Sequence, residues 1–280
     1  MSKKELIGVI HLPRLPSTEY RVDYTVSYIA DNAVQEARIL EDAGFDGVIV
    51  ENHGDYPFHK RVRDPLTLAT MAVVVREVVR STSLKVGVNI LRNSGREAYA
   101  IAVAAGARFI RVNGLVETLI SDSGLIESEA PRLKSISINY PGIEIYADIL
   151  CKHSGSLYFQ TLKAVAEAYT GKDENAGEEA VREIVLDAIN RGRANTLIVT
   201  GPRTGEAPSP SLLETAKKYS TRPILVGSGL NPENARVLLR IADGAIVGSY
   251  IREEGIAGRP IMPEKAKKIA RLVKSIQTGS

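Results

Sequence analysis

Polar residues sit at the ends of successive short apolar runs. His11 closes Leu6–His11, Glu51 closes Asp46–Glu51, and Asn89 closes Leu84–Asn89. Arg111 lies inside Arg108–Asn113, Asp148 closes Ile143–Asp148, and Thr200 closes Thr196–Thr200. Arg111 is the most informative of them. It is flanked by Phe109, Ile110 and Val112, and a guanidinium in a buried strand needs a carboxylate or phosphate partner. Glu51 and Asp148 are the candidate partners. Two carboxylates in one low-dielectric pocket push each other's pKa values apart, which would leave one proton donor and one acceptor. Lys152 and His153 follow Asp148 closely. Lys152 reads either as a Schiff-base nucleophile or as an electrostatic contact to a phosphate. A purely architectural ion network would also place such residues there, so each one taken singly stays open.

A second group of residues suggests anion binding. Pro223–Val226 and Gly244–Val247 each run into a small-residue turn, Gly227-Ser228-Gly229 and Gly248-Ser249. Such turns let a phosphate approach the backbone closely. Thr200 and Gly201, with Thr204-Gly205, would extend the same surface. Asn231-Pro232-Glu233-Asn234 reads as a helix start. His11, Asn113, Asp122 and His153 are further expected loop contacts, although Asp122 in Ser121-Asp122-Ser123-Gly124 is equally a turn residue. His53 and His59 read as solvated loop residues. No tight ligand spacing marks a metal. A divalent ion on Glu51 and Asp148 is left open, and no organic cofactor motif, P-loop or nucleophile elbow is present.

These residues need elements to position them. The strand-like runs alternate with helical spacing at Tyr24–Ala43, Leu66–Arg80, Ser94–Ala105, Leu125–Ile138, Ser156–Tyr169, Gly177–Arg191, Pro210–Tyr219, Asn231–Ile241 and Glu264–Gln277. Strict β–α alternation with about eight units predicts an α/β fold, a single (β/α)8 TIM barrel spanning residues 1–280. An open doubly wound sheet is the alternative. A helical insertion is expected after the fifth strand, over 154–178, around the polar run Gly171-Lys172-Asp173-Glu174-Asn175.

Composition limits the function classes. The chain has 280 residues, 44% of them hydrophobic, and a formal net charge of +3. There is no basic block interleaved with aromatics, so nucleic acid is not the expected partner. A single cysteine, Cys151, and no apolar span long enough for a bilayer predict a cytoplasmic protein without membrane insertion. A homo-oligomer formed through Ser156–Tyr169 is a further expectation.

Gly8-Val9-Ile10-His11-Leu12-Pro13, Asp46–Asn52 with Gly54-Asp55 and Pro57-Phe58, Val86–Asn93, Phe109–Asn113 and Gly124–Glu127 are segments on which the sequence also resembles the BtpA family. They continue with Ala147-Asp148, Lys152-His153, Ile198–Gly201, Thr204-Gly205, Val226–Gly229, Asp243-Gly244 and Ile246–Gly248. They run in order over nearly the whole chain; the stretch from Ser154 to Glu178 is longer than the family's usual link. The resemblance implies a TIM-barrel-like fold. The family takes its name from a cyanobacterial member implicated in photosystem I biogenesis, and it carries no catalytic assignment onto these residues. Two functions follow. One is an enzyme doing acid–base chemistry (isomerisation, lyase or glycosidic cleavage) on a phosphorylated small molecule, a sugar phosphate or nucleotide. The other is a non-enzymatic assembly or stability factor, which should expose a sizeable apolar patch.

Overall fold

A computed structural model describes residues 3–170 and 175–278. The run at 171–174 therefore lies outside the described residues. Strands β1 (Glu5–His11), β2 (Gly47–Glu51), β3 (Lys85–Asn89) and β4 (Phe109–Val112) come first. A small sheet then holds β5 (Leu119–Ser121), β6 (Gly124–Ile126) and β8 (Ser154–Ser156). Strands β7 (Glu144–Ile149), β9 (Thr196–Val199), β10 (Ile224–Val226) and β11 (Gly244–Val247) complete the set. The helices are α1 (Val26–Ala43), α2 (Pro65–Ser81), α3 (Gly95–Ala105), α4 (Ala130–Asn139), α5 (Leu157–Thr170), α6 (Ala176–Asn190), α7 (Pro210–Tyr219), α8 (Ala235–Ile241) and α9 (Pro263–Thr278). The eight parallel strands close in the order β1-β11-β10-β9-β7-β4-β3-β2. The barrel, not the open sheet, is the arrangement found.

Strand parity places the site. Side chains alternate across a strand, so every second residue faces the lumen. The lumen holds a separate apolar cluster of Ile7, Val9, Ile49, Phe109, Tyr146, Ile198, Leu225 and Ile246. Gly87 makes room for it, because a Cβ there would stand 2.3 Å from the Phe109 ring. Phe109 stacks on Tyr146 at 4.4 Å. Below this layer, Lys85 Nζ donates to Glu144 at 2.7 Å and to the Tyr146 hydroxyl at 2.7 Å, closing the barrel floor with charge. Two residues above it lie His11, Glu51, Asn89, Arg111, Asp148, Thr200, Gly227 and Gly248. The register pairs His11 with Glu51 and Glu51 with Asn89.

Outside the strands, a second apolar cluster cements the helices to the sheet, with Ile29, Leu40, Val74, Ala102, Ile184 and Leu213 all inaccessible to solvent. Each of the Val, Leu and Ile side chains among them contributes roughly 1.5–3 kcal/mol. Local chemistry sets the helix ends. Thr25 accepts the Tyr28 N–H at the start of α1, and Gly44 ends it at φ 91°. Asp64 caps α2 ahead of Pro65.

Two expected boundaries move. The helix expected from Leu125 begins at Ala130, because Leu119–Ile126 pairs as a hairpin turning through Asp122-Ser123, with Gly124 at φ 85°. Ser154–Ser156 adds to that hairpin across β5. The helix expected from Asn231 begins at Ala235. Asn231 Oδ1 instead accepts the N–H groups of Glu233 and Asn234 in a side-chain-closed turn. Within the long excursion after β7, α5 packs on α6.

Candidate active site

Strand β4 points Arg111 into the mouth, where it is 4% exposed. Its Nε and Nη2 donate to Asp148 Oδ1 and Oδ2 at 2.9 and 3.0 Å. Asn113 Nδ2 adds a third donor to Asp148 at 2.8 Å, and the Cys151 thiol a fourth at 3.3 Å. Asn89 braces the group, donating to the Arg111 carbonyl at 3.0 Å and to Asn113 Oδ1 at 3.2 Å. Against the cost of burial, the charge and hydrogen bonds of Asp148 hold the Arg111 guanidinium firmly protonated, while burial and the adjacent carboxylate push the Cys151 thiol far up.

The expected acid–base pairing of Asp148 with Glu51 is therefore not the arrangement present. Asp148 is 1% exposed, surrounded by donors, and absent from the cavity walls, and so is Asn89. A buried carboxylate with that many donors is a structural anion that aims Arg111. Among the described residues, no group of three or more His, Cys, Asp or Glu residues could hold a metal ion.

The cavity surface is made by His11, Glu51, Arg111 and Lys152. They line both a narrow crevice of about 40 Å³ and a larger chamber of about 590 Å³. Gly227, Ser228, Gly229, Gly248 and Ser249 complete the crevice, with Thr204 and Gly205 at its rim. At about 10–15 Å³ for each water-sized group, the crevice has room for roughly three, the size of a phosphoryl group's terminal oxygens. The Ser228 and Gly229 N–H groups have no acceptor among the described residues.

Gly229 is required on two counts. Its φ is 69°, and a Cβ would stand 2.2 Å from the Ala207 nitrogen. Thr200 and Gly201 do not line the crevice, in contrast to the expectation. Thr200 Oγ1 accepts the Lys152 N–H at 2.8 Å, and Gly201 N–H donates to Ser228 Oγ at 3.0 Å. Ser228 Oγ in turn donates to the Glu206 carbonyl at 2.7 Å. These contacts shape the crevice from behind.

The ionic groups at the mouth are underused. Neither the Glu51 carboxylate, 7% exposed by residue, nor the Lys152 ammonium forms a hydrogen bond or ion pair among the described residues, and nor does Arg111 Nη1. Burial and the Arg111 charge lower the Lys152 pKa. His11 Nδ1 accepts the Gly258 N–H at 3.2 Å. That bond leaves the ring proton on Nε2, the atom beside Gly248. Burial, with Arg252, His53, Lys152 and Arg111 nearby, holds His11 neutral by driving its pKa well down.

Several contributors were not evident from the sequence. His53 is half-buried and packs against His11, with ring centroids 4.5 Å apart and the planes tilted by 44°, so it is not the solvated loop residue expected. His59 is exposed. Arg92 packs over the Phe58 ring at 4.8 Å and grips Asp122 through two hydrogen bonds of 3.1 Å, tying the hairpin to the chamber wall. Its position just past Asn89 was the available signal. His153 is drawn aside onto Thr204. Glu117, fully buried, accepts the Leu150 N–H at 3.0 Å and braces the loop that carries Lys152, where Leu150 and His153 both have positive φ. A separate cavity of about 500 Å³, between the loops after β1 and β2, shares only Phe58 and Leu91 with the mouth.

The model of the BtpA family matches residues 2–275. The chain is 39% identical over 280 residues to an uncharacterized protein of Pyrococcus horikoshii, covering 99% of each. It is 35% identical over 263 residues to the photosystem I biogenesis protein BtpA of Synechocystis, covering 92% of this chain and 84% of the relative. Among solved structures, it is similar to (S)-3-O-geranylgeranylglyceryl phosphate synthase of Thermoplasma acidophilum in complex with substrate sn-glycerol-1-phosphate. The TM-score is 0.59 at 16% identity, covering 98% of this chain and 94% of that one, a likeness of fold.

Proposed function

The chain belongs to the BtpA family, and from that premise we propose that it is an enzyme acting on a phosphorylated small molecule by acid–base chemistry. The observation that carries this reading is the set of unpaired ionic groups at the mouth. Glu51, Lys152 and Arg111 Nη1 lie beside a crevice edged by glycine backbone. Buried charge without a partner costs several kcal/mol, so such groups persist where a ligand completes them.

In this reading the phosphoryl group occupies the crevice. It takes hydrogen bonds from the Ser228 and Gly229 N–H groups, His11 Nε2 and Arg111 Nη1. The rest of the substrate extends into the larger chamber between Glu51, His53, Arg92 and Asn113. Glu51 is the base, since Asp148 is committed to Arg111. Barrels commonly bind phosphate at the loops after the last two strands, and the similar synthase holds a glycerol phosphate. An assembly role, as the Synechocystis relative's name suggests, gives no reason for charged groups to converge inside a barrel mouth.

The test is phosphate-ester binding followed by 31P NMR. Gly248→Asp is the appropriate variant, because a Cβ at 248 meets nothing nearer than 3.4 Å and the carboxylate then enters the crevice. Gly227→Asp is unsuitable, because its Cβ would collide with Ile198 at 2.4 Å. Sugar phosphates and nucleotides should bind the wild type and lose at least ~10-fold in affinity in the variant, a change of about 1.4 kcal/mol. Equal binding by both would refute the assignment of the crevice.

A further inference from the structure

We propose that Lys152 is a covalent nucleophile, forming an imine with the carbonyl carbon of a short phosphorylated aldehyde or ketone. The proposal rests on the phosphate reading of the crevice and names the substrate class of that same site. Three observations carry it. Lys152 is the one lysine among the residues lining the crevice and the chamber, and it borders both. A carbonyl one or two carbons from a phosphate held at Ser228 and Gly229 would therefore sit at the junction where Lys152 stands.

Secondly, its ammonium makes no hydrogen bond or ion pair among the described residues, whereas Lys85 on the barrel floor is bound to Glu144, Glu5 and Tyr146. A lysine meant only to carry charge is usually placed like Lys85. Thirdly, its backbone is fixed from two sides. Thr200 Oγ1 accepts its N–H, and Glu117 accepts that of Leu150 two residues earlier. The neighbouring Arg111 cation and the desolvated setting favour the free amine, the usual way an imine-forming lysine is activated.

The step balances with groups on the cavity wall. The Glu51 carboxylate takes one proton from the Lys152 ammonium. The freed Nζ lone pair attacks the carbonyl carbon, and the π pair moves to oxygen. A second nitrogen proton passes to that oxygen to give the carbinolamine. Glu51 then returns its proton to the hydroxyl, the carbon–oxygen bond breaks, and water leaves as the nitrogen lone pair closes the protonated imine. The nitrogen has lost two protons, the departing oxygen has gained them, and the charge is unchanged.

Incubation of the full chain with dihydroxyacetone phosphate and sodium borohydride tests this, because hydride addition converts the imine to a stable secondary amine. Peptide mass mapping locates the adduct. Lys152 should be labelled at least ~10-fold faster than the exposed Lys134 and Lys268. Lys152→Arg, which keeps the charge, should lose that site while retaining a native circular dichroism spectrum. Labelling of Lys152 no faster than Lys134 overturns the proposal. If dihydroxyacetone without phosphate labels Lys152 equally well, the imine stands and the phosphate crevice fails. If 31P NMR shows phosphate-ester binding but Lys152 stays unlabelled, the crevice stands and the imine is refuted.

Discussion

Removing Asp148 should cost far more stability than removing a surface carboxylate. Asp148 accepts two hydrogen bonds from Arg111, one from Asn113 and one from the Cys151 thiol, all buried. In Asp148→Asn, one oxygen can still accept from the guanidinium, but the new NH2 group faces donors only. Arg111 keeps its charge at 4% exposure without its hydrogen-bonded counterion. Breaking a buried pair on one side costs about 3–5 kcal/mol. In a chain of this size that is a fall in Tm of roughly 6–20 °C, at about 2–4 °C per kcal/mol. The pair itself is worth much less than this, because its formation must offset the desolvation of both ions. The double variant Arg111→Met, Asp148→Leu should therefore recover about 2–3 kcal/mol relative to the sum of the single changes. Guanidinium unfolding followed by far-UV circular dichroism, on the wild type and the three variants, measures the cycle. A loss below ~1 kcal/mol in Asp148→Asn, or additivity within about 0.5 kcal/mol, would refute the view of Asp148 as a sealed structural anion.

Three other perturbations test separate parts of the structure. Burial raises Glu117 to about 7, so its neutral form stabilises the fold below pH ~4.5 and that stabilisation is lost as pH rises through about 7. Glu117→Gln should abolish up to ~3 kcal/mol of this alkaline loss, read as a urea midpoint that rises at pH 8 relative to pH 5 when compared with the wild type, and an unchanged difference between the two pH values would count against it. His11 has the opposite sign. Its folded pKa is lowered, so its contribution is present above pH ~6.5 and is lost as pH falls below that, and His11→Gln should flatten the acid limb between pH 7 and pH 5. Gly229→Ala forces a Cβ against the Ala207 backbone at φ 69° and should cost about 1–3 kcal/mol in thermal unfolding, whereas Gly248→Ala, in ordinary contact, should stay within about 0.5 kcal/mol. Equal effects at the two glycines would contradict the geometry.

The β–α rhythm, its eight repeats and the positions of His11, Glu51 and Arg111 at strand ends were legible in the sequence, because parallel strands are apolar throughout and a polar residue inside one stands out. The same uniform apolarity hides which face of each strand turns inward. Only barrel closure puts Glu51 and Arg111 on the cavity and seats Asp148 behind them. Pairings across the barrel are equally silent in a linear reading. Arg111 and Asp148 are 37 residues apart, and His11 finds Gly258 across 247. The hairpin at Leu119–Ile126 left no strand pattern of its own, and Leu125 and Ile126 merged into the helix expected after them, because its strands are three residues long and its partner Ser154–Ser156 arrives from beyond β7. Sequence chemistry by itself determined that acids, bases and glycine turns would gather at one end of a barrel. Tertiary structure decided which of them face the cavity, since an ion's role depends on whether its lone pairs and protons are already taken, and that is set by neighbours distant in the chain.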